Sequence, residues 1–119
     1  KTLLLRENND ISNQGKISLL KLVNDISSIT ATLQSNHTLA YIAVGKEFYV
    51  YDPNDVKEQI RRHIGMATHI NKLSENNPEA AGRDKMIHTQ LNSTKRAELA
   101  DFQGVNRSLY SEINPLHLP

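Results

Sequence analysis

The sequence predicts an α+β domain in which an antiparallel β-hairpin forms the core and helices flank it. Three observations support this class. Apolar residues recur at helical spacing over 16–33, two strand-like runs flank a turn over 38–51, and a helix-capping pattern precedes residue 56. At 119 residues the chain is long enough for one domain with its own core. Because it starts at Lys1 instead of Met, we expect residues 1–119 to be a single domain or a fragment.

The first helix is predicted over about 16–33. Its apolar residues follow one another at steps of three and four, which places them on one face of a helix. They are Ile17, Leu20, Val23, Ile26, Ile29 and Leu33. Upstream, the three leucines at 3–5 predict either the end of an earlier helix or a short buried segment.

The hairpin is predicted over about 38–51, where β-branched and aromatic residues flank Gly45-Lys46. Glycine suits the first position of a two-residue type II′ turn. In that register Leu39 faces Asp52, and His37 lies on the face of Leu39, diagonal to Asp52 and within side-chain reach. A loop of three residues would instead place His37 and Asp52 on opposite faces.

Three more helices are expected in the second half of the chain, over about 56–73, 79–91 and 94–102. Asp55 followed by Glu58 is a capping-box pattern, so the first of these should start at Val56. Pro78 suits the first position of the next helix. Asn92 and Ser93 separate it from the last one.

Composition limits the function classes. The chain has no cysteine, which excludes disulfides, thiolate metal sites and a cysteine nucleophile of its own. No apolar run is long enough to span a bilayer, and no signal-peptide pattern is present. The net charge of +1 gives no reason to expect nucleic-acid binding. Four basic residues share a helix face diluted by acidic neighbours, so a solvated face is favoured over a phosphate-binding one; they are Lys57, Arg61, Arg62 and Lys72.

His37 and Asp52 are the candidate catalytic residues. A carboxylate bonded to one imidazole nitrogen fixes the tautomer and direction of the ring, so that the other nitrogen can take a proton from a nucleophile. The alternative is that His37 is a loop or strand-edge residue and Asp52 opens an Asp-Pro turn. The other histidines do not converge on a metal, and we expect neither a metal site nor a cofactor; they are His63, His69, His88 and His117.

Residues 36–54 resemble a known family. The sequences Asn36-His37-Thr-Leu-Ala-Tyr and Phe48-Tyr-Val-Tyr-Asp52-Pro-Asn54 are similar to the His and Asp strands of papain-like effector cysteine proteases of the YopT type. They are equally similar to the related glutamine deamidases of bacterial toxins and effectors. The resemblance implies the His/Asp half of a papain-like fold, with His37 as general base and Asp52 as its orienting carboxylate. It also implies a secreted effector acting on proteins in a host cytosol; otherwise the chain would be cytoplasmic.

The chain departs from that family in ways that leave the function open. The nucleophilic cysteine would have to lie before Lys1 or on a companion chain, or the chain is a pseudoenzyme. The glycine expected after Asp-Pro-Asn is replaced by Asp55, and neither Ser12 nor Ser35 has a nucleophile-elbow context. The compact spacing from histidine to aspartate looks more like that of the deamidase members, so the resemblance implies a deamidase over a peptidase. The alternative is a non-catalytic helical module that binds a protein partner.

Overall fold

The computed structural model describes residues 2–5, 12–44, 55–74 and 77–105. Most of these residues are helical, and the strands form a two-stranded sheet. In chain order the elements are β1 (Thr2–Leu5), α1 (Asn13–Val23), α2 (Ile29–Leu33), β2 (Tyr41–Val44), α3 (Val56–Leu73), α4 (Pro78–Lys85), a π-helical turn (Met86–Gln90) and α5 (Ser93–Gln103).

The predicted fold class, an α+β domain with an antiparallel hairpin core, is wrong. The strand β2 pairs with β1 in parallel, with Thr2 opposite Tyr41 and Leu5 opposite Val44. Parallel strands need a crossover connection, and here the chain between them contains α1 and α2. Residues 45–54, which include the predicted return strand and Asp52, lie outside the described residues. The strand that pairs with β2 therefore contains the three leucines at 3–5, whereas the sequence pattern predicted that it follows the turn at Gly45-Lys46.

The predicted helix over 16–33 is two helices, α1 and α2, with an irregular connection between them. The Ser28 hydroxyl accepts the Ala31 N–H at 2.9 Å and caps α2. The Gln103 side chain of α5 bonds to the backbone of this connection. It accepts the Ile26 N–H at 3.0 Å and donates to the Asn24 carbonyl at 2.9 Å. The helix stops because these backbone groups bond to side chains distant in sequence instead of continuing the helical ladder.

The later helices lie close to their expected bounds. Helix α3 begins at Val56 and ends at Leu73, and the Asp55 carboxylate accepts the Lys57 N–H at 2.8 Å at its start. Helix α4 continues through the π-helical turn to Gln90. Helix α5 ends at Gln103, and Gly104 follows it with a φ of 67°, the left-handed conformation that glycine favours.

The core lies between α1 and α3, with β2 and α5 closing it. Helix α1 packs against α3, and α3 in turn packs against β2 and α4. Its buried residues come from every one of these elements except α4; they are Leu20, Val23, Ile26, Ile42, Ile60, Ile64, Ala67, Leu99 and Ala100. No helix in the described ranges is long and apolar enough to cross a membrane.

A buried polar layer joins the α1–α2 connection to the second half of the chain. Gln90, in the π-helical turn, donates to the Ser28 carbonyl at 3.0 Å and to the Thr32 hydroxyl at 2.8 Å. The side-chain amide oxygen of Gln90, Oε1, accepts from Arg96 of α5. Because buried polar groups are costly unless they are paired, this layer fixes α2 in position over α4.

Candidate functional site

His37 lies in a tight turn that the Asn36 side chain organises. The Asn36 Oδ1 atom accepts the Thr38 N–H and the Leu39 N–H, each at 2.9 Å, and the Thr38 hydroxyl at 3.1 Å. The Asn36 N–H donates to the Leu22 carbonyl at 2.8 Å, which ties the turn to α1. An asparagine that bonds to the backbone just after it is a common turn device. The histidine is thereby presented from a fixed backbone between α2 and β2.

Both ring nitrogens of His37 are bonded within the fold. The Nε2 atom lies 2.7 Å from the Leu33 carbonyl oxygen, and the Nδ1 atom lies 3.0 Å from Nζ of Lys85. Since a carbonyl oxygen only accepts, Nε2 carries the hydrogen, and Nδ1 accepts from Lys85. Burial lowers the pKa of His37, and the Lys85 charge adds to this, while the bond to Leu33 opposes it.

Lys85 is the most unusual residue of the site. It is fully buried, and its Nζ donates to the Asn36 carbonyl oxygen and to His37 Nδ1, both at 3.0 Å. No carboxylate contacts it among the described residues. Burial lowers the pKa of Lys85 to about 7, because removing the ammonium group from water penalises its charged form.

Two neighbours complete the cluster. Asn71 of α3 donates to the Asn36 carbonyl at 3.1 Å and to the Leu39 carbonyl at 2.8 Å, so the Asn36 oxygen accepts both Asn71 and Lys85. Gly82 of α4 lies against the imidazole, and a Cβ added there would stand 3.4 Å from His37 Nε2 and 3.3 Å from a Leu33 methyl group. The absence of a side chain at Gly82 lets α4 approach the ring this closely.

Sequence reasoning selected His37 and missed the residues that contact it. Asp52 lies outside the described residues, so the expected pairing of His37 with Asp52 stays a prediction. The signal that could have identified Lys85 is its spacing from Ala81, since residues four apart share one face of a helix. Ala81 and Lys85 are both fully buried.

A histidine–carboxylate pair does occur elsewhere, between α3 and α5. His63 Nε2 lies 2.7 Å from Oε1 of Glu98, and the ring packs edge-on against Phe102 with centroids 6.0 Å apart. The His63 Nδ1 atom is buried and has no hydrogen-bond partner among the described residues. Burial lowers the pKa of His63, and Glu98 counteracts this by stabilising the imidazolium. Only 3% of the His63 surface is exposed.

The remaining candidates have structural roles or stand apart. The Ser12 hydroxyl caps α1 through the Gly15 N–H, and the Ser35 hydroxyl accepts the Asp25 N–H and donates to the Ala31 carbonyl. His69 and His88 are exposed, and His117 lies outside the described residues. No group of three or more metal-ligating side chains occurs in the described part of the chain.

A shallow, open groove runs beside the turn, between the end of α1 and α2. Polar side chains form most of its wall; they are Lys21, Asp25, Gln34, Ser35 and Asn36. On the other side of the turn, His37 points to Leu33, Gly82 and Lys85. Of the turn residues, the groove is therefore lined by Ser35 and Asn36, and the His37 ring is not part of its wall.

Comparisons with family models, with curated proteins and with solved structures find no match to this chain.

Proposed function

We propose that this chain is a non-catalytic helical module that binds a protein partner, and that His37 is a structural residue within it. One observation carries the proposal: the Leu33 carbonyl and the Lys85 amine occupy both ring nitrogens of His37. A general base needs a lone pair directed at the group that it deprotonates. The one lone pair of this imidazole is on Nδ1, and it is directed at a buried amine.

The second candidate is the papain-like thiol hydrolase, supported by the resemblance of residues 36–54. In that function His37 would exchange its bond to Lys85 for an Nδ1–H bond to Asp52 and would release Nε2 from Leu33 to act as the base. A cysteine from outside residues 1–119 would then attack a protein's peptide bond or glutamine amide. Peptidase and deamidase share this step and differ in the amine that leaves. The helical architecture and the bonding of His37 favour the binding module over this candidate.

The two candidates differ in how His37 responds to an Asp52→Asn substitution. We expect the binding module to keep the Nε2–H tautomer, which Leu33 and Lys85 set, and the same His37 pKa, which burial, the Leu33 bond and the Lys85 charge set. A catalytic pair would instead lose the carboxylate that favours the imidazolium, and the His37 pKa would fall. Nitrogen-15 NMR of the histidine rings across a pH titration measures both quantities.

Asp55→Asn is the matched control, because it removes one carboxylate nearby while asparagine still caps α3. A fall in the His37 pKa in Asp52→Asn but not in Asp55→Asn would overturn the proposal. Partner proteins identified by cross-linking should keep their intact mass after incubation with the chain. Fragments, or a gain of about one mass unit, that disappear with Asp52→Asn would establish the hydrolase.

A further inference from the structure

Hydrogen bonds of the Lys85 amine connect α4 to the turn at residues 36–39. Lys85 reaches from α4 to the Asn36 carbonyl and to His37 Nδ1, and the far side of the His37 ring is fixed to Leu33 at the end of α2. The other groups that face the pair are neutral, since α3 contributes Asn71 and α4 contributes Gly82. Among the described residues, no carboxylate offsets positive charge here.

The number of protons on the pair determines whether the contact can form. With a neutral His37 ring, either form of Lys85 donates to both the Asn36 oxygen and Nδ1. With a protonated ring and a neutral amine, Nδ1–H donates to the Nζ lone pair, and Nζ still donates to Asn36. When both groups are protonated, Nδ1–H and the ammonium face each other as two donors with two positive charges 3.0 Å apart.

We propose that Lys85, His37 and the Asn36 carbonyl form a proton-operated latch, which holds α4 on the turn with up to one proton and releases it when the pair takes a second. Acidification is therefore the opening signal. The direction of the His37 pKa shift agrees, since burial and the Lys85 charge both resist protonation of the ring. The latch is independent of the binding function proposed above.

Opening has a local readout at the turn. The Asn36 N–H bonds to the Leu22 carbonyl and the Leu39 N–H bonds to Asn36 Oδ1, so both amides are protected from hydrogen exchange while the turn is held. We expect their protection factors, corrected for intrinsic exchange, to fall at least about tenfold between about pH 7 and about pH 5. Hydrogen exchange on the full chain, read by NMR, measures them.

Two variants test the mechanism. His37→Gln can accept from Lys85 and donate to Leu33 but cannot be protonated, and Lys85→Met removes the second charge. We expect the pH dependence of protection at Asn36 and Leu39 to vanish in both. His88→Gln is the matched control, because it removes an exposed histidine next to α4, and it should keep the wild-type pH dependence.

The latch is overturned if the wild-type protection factors do not change while the His37 ring takes up its proton. It is also overturned if His37→Gln shows the same fall as the wild type. Should His37→Gln fail to fold, the wild-type titration of the His37 ring and the Lys85→Met variant decide the question. Protection lost at every amide in step would mean general acid unfolding and would equally contradict a local latch.

Discussion

At the residue scale, the buried amine of Lys85 has the largest electrostatic consequence in this structure. Burial lowers its pKa to about 7, from the 10.5 of a lysine in water. A lysine with no carboxylate partner avoids the cost of a buried charge by giving up its proton. Sequence reasoning found His37, which lies in a recognisable pattern, and missed Lys85, since a lysine on a polar helix is ordinary until the packing places it inside.

This pKa difference predicts that the protein becomes more stable as the pH rises. Between about 7 and 10.5 the unfolded chain holds a proton on Lys85 that the folded chain does not. The free energy of unfolding therefore increases with pH, by at most about 1.4 kcal/mol per pH unit for this one group. Urea unfolding of the wild type and of Lys85→Met at about pH 7.5 and about pH 9 measures the difference.

The free energy of unfolding of Lys85→Met should increase distinctly less over this pH range than that of the wild type. A residual slope is expected, because burial also lowers the pKa of Lys16. Lys72→Met, which removes an exposed lysine from α3, is the control and should behave as the wild type does. Equal slopes in wild type and Lys85→Met would show that the folded chain keeps Lys85 protonated.

At the element scale, the starts of α3, α4 and α5 were readable from the sequence because their caps are local. Asp55 and Asn77 accept N–H groups two or three residues ahead in the chain, which is a distance that the sequence displays directly. The break after α1 was not readable, since Gln90 and Gln103 hold it from more than sixty positions away. Helix propensity alone predicts one continuous helix across such a break.

Two helical glycines, Gly65 and Gly82, predict opposite outcomes of the same substitution. Gly65 of α3 has nothing within 4 Å of an added Cβ, so Gly65→Ala should stabilise the protein by about 1 kcal/mol through helix propensity. At Gly82 the same Cβ would stand 3.3 Å from a Leu33 methyl group, which must give by a few tenths of an ångström, and 3.4 Å from His37 Nε2, in contact with the ring. Gly82→Ala should therefore gain less or lose stability, and should move the His37 NMR signals.

Thermal or urea unfolding of the two alanine variants provides the comparison, with each glycine site serving as the control for the other. An equal gain in stability from Gly65→Ala and from Gly82→Ala would mean that α4 lies farther from His37 than in the structure. Unchanged His37 signals in Gly82→Ala would contradict the close packing in the same way.

At the scale of the whole molecule, the pairing of β1 with β2 decides the architecture. A hairpin would have kept both strands within one stretch of sequence, whereas this sheet joins residues 2–5 to 41–44 across two helices. Helix α1 packs on α3, which itself packs on β2, so burial of the core brings the two strands into reach. The gain from burying apolar area offsets the entropy of closing this long loop.

A designed disulfide tests the parallel register. Thr2 and Tyr41 are partners in it and both are exposed, and paired strands bring Cα atoms within disulfide range. The chain has no cysteine of its own, so in Thr2→Cys/Tyr41→Cys only the designed pair can oxidise. We expect an intramolecular disulfide, detected by peptide mapping under non-reducing conditions. Each single variant is the control, and a double variant that forms only intermolecular disulfides would contradict the register.

The sequence by itself determined where α3, α4 and α5 begin, which residues are apolar enough to form the core, and that His37 lies beside a strand. These properties depend on contacts within a few residues. Only the tertiary structure decided that β2 pairs with the start of the chain, that a glutamine breaks the first helix, and that Lys85 is the partner of His37. Each of these depends on groups far apart in sequence, whose meeting is determined by packing of the whole chain.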